Sequence, residues 1–485
     1  MSSISGPAIN RRALLRAGAC VAAVASLPRA AATAVGQIDL TAAPGRLSIV
    51  GKPHPATKVW CYGNRVPGPE FRVPQGQPVR IAVHNRLPED TTVHWHGIRL
   101  PNAMDGVPGL TQAPIKPGVI FTYEFAPPDA GTFWYHPHAD SLQQLGRGMA
   151  GALIVEEPEP VPVDRDVAWM LADWRMTGDA QIASGFGNAM EAGMAGRVGN
   201  TVTLNGIVSD EVPVRAGERI RLRLVNSALA RIMALRFEGH RPVVVAIDGQ
   251  PCDPHEPEGG RVLLGPAMRV DLCVDMSGDP GKRYRVIDDF YDGLSYWLTE
   301  LAYDEGPPAR PRPLEAPLTL PRNPLPEPDL ASAERHELRL QGGMMGGGAM
   351  MGMGGMRGMG PMRGMGPMRG MGDAASWAIN GVSITGDGHA DMPPLLTLQR
   401  GQTCVLTMHN ETAWWHPMHL HGHSFRVLRR NGSSVSHRQW ADTVLLPPRQ
   451  SVEVAFVADN PCDWMLHCHV TDHQVSGMMT VLRVA

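Results

Sequence analysis

The chain has 485 residues, of which 43% are hydrophobic, and a formal net charge of −3. This length and apolar content suit two to four domains with their own cores, and the scattered basic residues exclude a nucleic-acid-binding face. Frequent glycine (54) and proline (44), together with few aromatic residues, favour a turn-rich β protein over a helical one.

The first 34 residues are typical of an export signal. Arg11 and Arg12 precede a short apolar run, and small residues at Ala32–Ala34 provide a cleavage site. Twin arginines indicate the route that exports folded proteins, here into the periplasm. We therefore expect the mature chain to begin near Val35, and no later stretch predicts a membrane anchor.

The pairing of the cysteines cannot be read from the sequence. Cys20 would leave with the signal, and an oxidising compartment would permit a disulfide among the scattered remaining cysteines. These are Cys61, Cys252, Cys273, Cys404 and Cys462.

A weak internal repeat organises the chain. The segments Gly76–Asn85, Gly217–Asn226 and Gly401–Asn410 each begin with Gly followed by Gln or Glu, then alternate, and end in Asn nine residues after the Gly. Such alternation predicts a strand with one buried face. Three copies predict an all-β protein of three related sandwich or barrel domains.

The domain boundaries follow from this repeat and from similar closing segments in its two outer copies. We place the first domain at 36–158, the second at 159–305 and the third at 373–485. The second shows no ligand motif, so we interpret it as a spacer. Residues 306–372 form a Pro-rich connector, which should run extended, followed by a Met/Gly-rich segment.

Most histidines fall in four short motifs, "HWHG", "WYHPH", "HPMHLHGH" and "HCHVTDH". Each contains two histidines separated by one residue, and on a strand such a pair points to one face. Eight imidazoles without carboxylates suit copper better than magnesium or calcium, and four pairs in one chain argue against a purely structural role. The pairs are His94 and His96, His136 and His138, His419 and His421, and His467 and His469.

Cys468 lies between two of these histidines, so its side chain should leave the opposite face of the strand. Two histidines, one cysteine and a candidate axial methionine describe a blue-copper electron-transfer site. The alternative is a buried hydrophobic cysteine and a methionine that fills the core. The candidate ligands are His416, Cys468, His473 and Met478.

The four motifs, in this order and at these spacings, resemble the signature of the three-domain multicopper oxidases, which include laccases, ascorbate oxidase and bacterial copper-efflux oxidases. The resemblance covers nearly all of the mature chain. It implies three cupredoxin-like Greek-key domains and four copper ions. Type 1 copper would bind the blue-copper set, and type 2 copper would bind His94 and His419. The type 3 pair would bind His96, His136, His138, His421, His467 and His469.

The resemblance also implies the reaction. A donor gives single electrons to type 1 copper, the electrons pass through Cys468, and the three-copper cluster reduces dioxygen to water. Asp105 matches a carboxylate that the family keeps near this cluster, which implies a role in proton transfer, although Asp-Gly also suits a simple turn. Several bacterial members have Glu directly after the second type 1 histidine, where this chain has Gln474. We expect the neighbouring Asp472 to point elsewhere, so the proton donor stays open.

The segment Gly342–Gly372 holds eleven methionines among glycines and cannot build a core. Soft thioethers favour Cu(I), and copper-efflux oxidases resemble this chain in carrying a Met-rich insert in or beside the third domain. We therefore predict a monomeric cuprous oxidase in copper tolerance. Low-complexity drift and sacrificial oxidation are the alternatives. The candidate Cu(I) ligands are Met356, Met359, Met362, Met365, Met368 and Met371.

Two other functions remain to be weighed. One is a laccase for phenols or aromatic amines. Trp414 and Trp415 stand where soft or acidic ligands of a substrate copper site would be wanted, so either this site differs or the Met-rich segment does more of the binding. An axial Met lowers the type 1 potential and favours easily oxidised donors. The complete ligand set argues against a copper-free scaffold, and the eight histidines exclude a nitrite reductase. His423 and the isolated histidines, including His389, are expected to bind no metal.

Overall fold

A computed structural model describes residues 37–310, 314, 318–344, 377–386, 389 and 392–485. The predicted export signal and the candidate Cu(I) ligands from Met356 to Met371 lie outside these residues. Within them, strands dominate, which confirms the predicted all-β class. The described helices are α1 (Ser141–Gly146), α2 (Ala189–Ala192) and α3 (Thr471–Val475), with 3-10 turns at Asn102–Met104 and Glu258–Gly260. None of the described helices has the length and apolar character needed to cross a membrane.

The N-terminal part of the chain forms two four-stranded sheets around one apolar core. Its strands are β1 (Ile38–Leu47), β2 (Thr57–Tyr62), β3 (Phe71–Pro74), β4 (Val79–Asn85), β5 (His94–His96), β6 (Ile120–Phe125), β7 (Gly131–His136) and β8 (Gly151–Glu156). The sheet orders are β2-β1-β4-β6 and β3-β8-β7-β5. Short β5 therefore lies at a sheet edge, where both of its histidines can meet another unit.

The middle part forms a six-stranded and a five-stranded sheet. Its strands are β9 (Arg165–Trp174), β10 (Thr201–Leu204), β11 (Glu211–Val214), β12 (Arg219–Asn226), β13 (Met233–Phe237), β14 (Val243–Ile247), β15 (Gln250–His255), β16 (Val262–Leu264), β17 (Arg269–Asp275), β18 (Arg283–Asp288) and β19 (Tyr296–Tyr303). The orders are β10-β9-β12-β17-β14-β15 and β11-β19-β18-β13-β16.

The C-terminal part forms a seven-stranded and a five-stranded sheet. Its strands are β20 (Glu334–Gly342), β21 (Trp377–Ile379), β22 (Pro394–Leu398), β23 (Thr403–Asn410), β24 (His416–Leu420), β25 (Phe425–Arg430), β26 (Ser433–Ser434), β27 (Trp440–Ala441), β28 (Thr443–Leu446), β29 (Ser451–Val457), β30 (Cys462–Cys468) and β31 (Met479–Val484). The orders are β21-β20-β23-β29-β25-β26, with β27 paired to β25, and β22-β31-β30-β24-β28.

The asparagine that ends each copy of the repeat makes the same kind of hydrogen bonds in all three parts. It ends β4, β12 and β23, and each time its side chain accepts a bond from the backbone N–H two residues on. Its amide group also donates to carbonyls of the following loops, which fixes the path of the chain after the strand. These bonds run from Asn85 to Glu89 (2.8 Å), from Asn226 to Arg231 (2.9 Å) and from Asn410 to Trp414 (2.7 Å).

The prediction of one buried face is wrong for β12, which is buried on both faces. The reason is a row of arginines on the face turned towards the N-terminal part. Arg221 donates to Asp271 and Glu157, both at 2.7 Å, and Arg223 donates to Thr132 at 2.9 Å. Paired charges replace water at this contact between units, and the alternating pattern in the sequence does not reveal it.

Candidate metal centres

Strand pairing gathers the four histidine pairs into one place. In the N-terminal part, β5 pairs with β7 so that His94 lies opposite His136. In the C-terminal part, β24 pairs with β30 so that His419 lies opposite His467. The two parts then meet through stacked rings. Ring centroids are 3.9 Å apart for His94 and His421 and 3.7 Å apart for His96 and His419. We call the eight paired histidines the eight-histidine cluster.

Most rings of the eight-histidine cluster are oriented by an N–H bond to an oxygen that can only accept. When one nitrogen of a neutral imidazole donates, the other keeps its lone pair for a metal. Four rings use Nδ1 in this way and turn Nε2 inwards. These donors are His94 to the Asp105 carbonyl (2.8 Å), His136 to Pro137 (3.0 Å), His419 to Asp442 (3.0 Å) and His467 to Cys468 (3.0 Å).

His96 has the opposite orientation. Its Nε2 donates to a carboxylate oxygen of Asp442 at 3.2 Å, so its Nδ1 is the nitrogen left for a ligand. That Nδ1 is buried and has no hydrogen-bond partner, like the Nε2 atoms of His94 and His419. Inward-facing nitrogens also meet each other, with 3.0 Å between the Nε2 atoms of His421 and His467. Converging lone pairs without donors are what copper ions would satisfy.

Burial favours the neutral imidazole at seven positions of this cluster. Desolvation, followed by repulsion among the neighbouring rings, holds the pKa of His138, His421 and His467 well below the ordinary value. Neutral imidazole is the form that binds a metal. These rings are therefore ready to bind a metal at neutral pH.

Asp105 lies between one histidine ring of the N-terminal part and one of the C-terminal part. One of its carboxylate oxygens accepts from the Nδ1 of His421 at 2.8 Å, and the other lies 3.3 Å from the Nδ1 of His94. The carboxylate is buried with 1% exposure. It thus touches two rings of the cluster from outside, where it can orient them and can accept or release a proton.

A second cluster lies on the other face of β30. The Sγ atom of Cys468 is 3.5 Å from the Nδ1 of His416 and 3.7 Å from the Nδ1 of His473. All three side chains are buried, and they form a group able to hold a metal ion. Burial raises the pKa of the Cys468 thiol, so a nearby cation is needed to hold the sulfur as thiolate. We call this group the histidine–cysteine cluster.

The outer nitrogens of this cluster are held by neutral groups. The Nε2 of His473 donates to the backbone carbonyl of Met194 at 2.7 Å, and the Nε2 of His416 bonds to the hydroxyl of Thr412 at 2.8 Å. Both bonds turn the Nδ1 atoms towards the sulfur. Met478 is fully buried in the same core, and its carbonyl accepts from the N–H of Cys468 at 3.0 Å. A soft N₂S set with a methionine nearby suits copper.

Three models of the multicopper oxidase family match the chain, over residues 45–160, 165–293 and 367–485. The chain is also 32% identical over 501 residues to multicopper oxidase MmcO of Mycobacterium tuberculosis, with 95% of this chain and 89% of that protein covered. The chain belongs to the multicopper oxidase family. This confirms the predicted family and the prediction of an oxidoreductase, and family membership implies copper as cofactor.

Two further comparisons place this multicopper oxidase among its relatives. Copper resistance protein A of Escherichia coli is 30% identical over 60% of this chain, which spans about half (54%) of that protein. A crystal structure of a multicopper oxidase from Pseudomonas thermotolerans is 34% identical, has a TM-score of 0.79, and covers 93% of this chain and 100% of that chain. The predicted cupredoxin-like fold is thereby confirmed.

Several residues that contact the two clusters of this multicopper oxidase were not predicted from the sequence. Asp442, Thr443 and Thr412 contact ligand-type histidines through their side chains. Met194 does so through its carbonyl, which no sequence pattern announces. The side chain of Trp377 lies over His473, with 4.1 Å between ring centroids. Only Thr412 had a local signal, since it follows the repeated Asn410 by two residues and precedes a motif histidine by four.

The structure shows the surroundings of four side chains whose roles the sequence did not decide. Asp472 accepts from the backbone N–H of Arg197 at 2.7 Å and is in none of the candidate metal-binding groups of the described residues. Gln474 is buried, and its Nε2 has no partner. His423 packs against Phe456 and Trp464. His389 is buried, with its ring 5.8 Å from that of His138. Both histidines are core residues outside the metal-binding groups found among the described residues.

Proposed function

We propose that this multicopper oxidase oxidises Cu(I) with dioxygen and serves copper tolerance. Four Cu(I) ions each give one electron, and four electrons with four protons convert one O₂ into two water molecules. The donor ions leave as Cu(II). Copper bound in the two clusters would supply the one-electron transfer and the four-electron reduction of dioxygen.

The ligand roles in this proposal follow the family resemblance, and the grouping of the side chains into two clusters supports them. The histidine–cysteine cluster with Met478 is the type 1 site, and the eight-histidine cluster is the three-copper site. Within the latter, the Nε2 atoms of His94 and His419 would hold type 2 copper. The remaining six rings would hold the type 3 pair, and His96 would do so through Nδ1 because its Nε2 is bonded to Asp442. The six rings are His96, His136, His138, His421, His467 and His469.

The observation that carries the choice of Cu(I) is where the Met/Gly-rich segment begins. Met344, its first methionine, donates from its N–H to the carbonyl of Gly193 at 2.6 Å and accepts from the indole N–H of Trp414 at 2.9 Å. Gly193 directly precedes Met194, whose carbonyl holds His473. The segment therefore starts immediately above the proposed type 1 site, which supports delivery of a soft ion by its thioethers.

Helix α2, Trp377 and Met344 cover the proposed type 1 site, and this cover also favours a small donor. The indole N–H of Trp377 donates to the carbonyl of Ala192 in α2 at 2.7 Å, so this helix, Trp377 and Met344 lie together. His473 has no exposed edge, since the imidazole is buried and its outer nitrogen is bonded to Met194. A bulky aromatic donor could not contact this ring, whereas an ion bound at the cover needs only electron transfer across it.

Two further parts of the proposal concern protons and compartment. Asp105 is the proposed proton-transfer residue, because its carboxylate joins His94 and His421 and an acid there can supply protons to reduced oxygen. The twin arginines Arg11 and Arg12 support export to the periplasm. One chain supplies every proposed ligand, which supports a monomer.

A pair of half-buried aromatic rings near the same site favours a laccase as the second candidate. The rings of Phe290 and Trp415 lie 5.5 Å apart, and Trp415 directly precedes His416. Phenols and aromatic amines stack on such rings. Proteins named laccase occur among the relatives beside those named for copper resistance, so the donor has to be measured.

The deciding experiment is steady-state oxygen consumption with Cu(I) and with a simple phenol. The variant replaces Met356, Met359, Met362, Met365, Met368 and Met371 by Leu. This keeps the length and apolar character of the segment while removing its sulfurs. We expect kcat/KM for Cu(I) to fall about tenfold, which corresponds to about 1.4 kcal/mol of lost transition-state stabilisation, and the rate with phenol to stay unchanged.

A deletion of residues 345–372 serves as the companion variant, since it retains Met344 and its two bonds to the cover. It should match the leucine variant with Cu(I) and should equal or exceed the intact protein with phenol. Equal loss of both activities would assign the segment a structural role. Unchanged Cu(I) kinetics in both variants would refute Cu(I) delivery by the segment and favour the laccase.

A further inference from the structure

The middle unit contributes no histidine to either cluster, yet it reaches the eight-histidine cluster with a buried charge. Arg269 begins β17 and is fully buried. Its two terminal nitrogens donate to the two carboxylate oxygens of Asp442 in the C-terminal unit, at 2.8 and 2.6 Å. A bidentate Arg–carboxylate pair fixes both the position and the plane of the carboxylate.

Asp442 in turn touches two rings of the cluster. Its carboxylate accepts from the Nε2 of His96 at 3.2 Å, and its backbone carbonyl accepts from the Nδ1 of His419 at 3.0 Å. The hydroxyl of Thr443 donates to the same carboxylate at 2.8 Å and lies 3.2 Å from both rings. These bonds choose which nitrogen of each ring faces the cluster centre.

A second residue of the middle unit holds the backbone of this segment. Asp248 lies in the turn between β14 and β15, and its carboxylate accepts from the backbone N–H of Thr443 at 2.9 Å and of Asp442 at 3.2 Å. Its other oxygen accepts from the N–H of Arg269 at 2.9 Å. The middle unit thus holds both the side chain and the main chain of Asp442.

Gly97 gives independent support for this arrangement. It follows His96 directly and has φ of +86°, and a Cβ there would overlap the Arg269 guanidinium and the Asp442 carboxylate. The glycine of "HWHG" therefore leaves space for the ion pair beside the ligand strand. The pair is packed against the backbone of β5 rather than lying loosely at a domain boundary.

We infer that Arg269 is a positioning residue for the three-copper site, acting through Asp442 on His96 and His419. The inference rests on the proposed ligand roles but not on the identity of the electron donor. Without the guanidinium, Asp442 would be a buried carboxylate without its cation and would shift or admit water. Both rings would then lose the bond that fixes their orientation, which loosens metal binding at this cluster alone.

The test is a copper titration of the copper-free protein, followed by the blue absorption band and by the electron paramagnetic resonance spectrum. Arg269→Lys keeps the charge but loses the two-pronged contact, and Asp442→Asn keeps the shape of the partner. We expect each to bind copper at the eight-histidine cluster about 10–100-fold more weakly and to alter the type 2 spectrum. The blue band should fill as in the unaltered protein.

Arg219→Lys is the matched control. Arg219 begins β12 in the same sheet, and it also donates two hydrogen bonds to one carboxylate, that of Asp275, at 2.6 and 2.8 Å. It should bind copper like the unaltered protein. The Arg269→Lys/Asp442→Asn double variant should bind copper no more weakly than the single variant that binds it less well, because both substitutions act through one contact.

The outcomes separate this inference from the proposed function. Fewer than three coppers in the unaltered protein, or zinc in their place, would refute the proposed function itself. Four coppers there, with unchanged affinity and type 2 spectrum in Arg269→Lys and Asp442→Asn, would overturn only the positioning role. Equal loss of the blue band would also overturn it, since the pair would then support the fold in general. If Arg269→Lys does not fold, Asp442→Asn decides alone.

Discussion

The two clusters differ in what holds their outer nitrogens. In the eight-histidine cluster, carboxylates do part of this work, with Asp105 on His421 and Asp442 on His96. In the histidine–cysteine cluster, the partners found among the described residues are neutral, namely the Thr412 hydroxyl and the Met194 carbonyl. Carboxylates stabilise positive charge and move protons, whereas neutral partners only orient a ring.

This difference matches the work proposed for each cluster. Reduction of dioxygen gathers several metal charges and needs four protons, so negative groups beside that cluster are useful. A site that only passes single electrons gains nothing from proton transfer, and a nearby carboxylate would favour its oxidised ion and lower its potential. The surroundings of the rings therefore separate the two roles although the ligand atoms are nearly alike.

The largest expected effect comes from removing the sulfur that distinguishes the histidine–cysteine cluster. Cys468→Ser should abolish the blue band and oxidase turnover and leave the fold intact, because thiolate-to-copper charge transfer needs the sulfur. Absorption spectroscopy and oxygen uptake check this, with Cys404→Ser, a buried cysteine outside both clusters, as control. Retention of the blue band would contradict the type 1 assignment.

Acid should affect both clusters of the copper-free protein alike. Burial lowers the pKa of His473 to about 3 in one cluster and holds the pKa of His138 and of His421 well below the ordinary value in the other. Below about pH 6.5 the unfolded chain binds protons that the folded chain does not, so stability falls as pH falls, by about 1.4 kcal/mol per pH unit for each such imidazole. Denaturant unfolding at pH 7.5, 6.5 and 5.5 measures this. A free energy of unfolding that stays level would contradict neutral, buried rings.

The carboxylate side of the comparison is tested at Asp105. Asp105→Asn should retain all coppers and lower turnover by about 10–100-fold, most strongly at higher pH, because an amide cannot carry protons and fewer are available from water. Oxygen uptake across pH gives the result, with Asp39→Asn as control, because the Asp39 side chain on β1 is exposed. Turnover equal to the control at every pH would reduce Asp105 to a turn residue.

The neutral hydrogen-bond partners of the histidine–cysteine cluster are tested at Thr412, where we expect the smallest change. Thr412→Val keeps the shape but loses the bond to His416, which should lower the free energy of unfolding by about 1 kcal/mol and shift the blue band slightly. The type 2 spectrum should stay unchanged. Thr412→Ser, which keeps the hydroxyl, is the control. A changed type 2 spectrum in Thr412→Val would mean that the two clusters are not supported separately.

The sequence was sufficient for what depends on local spacing. Two histidines separated by one residue face one way on a strand, so the convergence of the four pairs and the opposite direction of Cys468 could be predicted. The repeat ending in Asn85, Asn226 and Asn410 likewise predicted three β units, because the same side chain fixes the same turn in each.

The supporting residues could not be predicted, because they depend on tertiary contacts between distant segments. Arg269 and Asp442 are 173 positions apart and lie in different units, and each alone resembles an ordinary charged residue. Met194 acts through a backbone carbonyl that every residue possesses. The double burial of β12 likewise arises from a neighbouring unit and not from its own alternation.

The most direct test of the account is the number and kind of metal ions in the loaded protein. Metal analysis combined with electron paramagnetic resonance should find four coppers per chain, with one type 1 signal, one type 2 signal and two coupled ions that are silent, together with an intense blue band. Fewer than three coppers, or zinc in their place, would contradict the assignment of the two clusters as a four-copper oxidase.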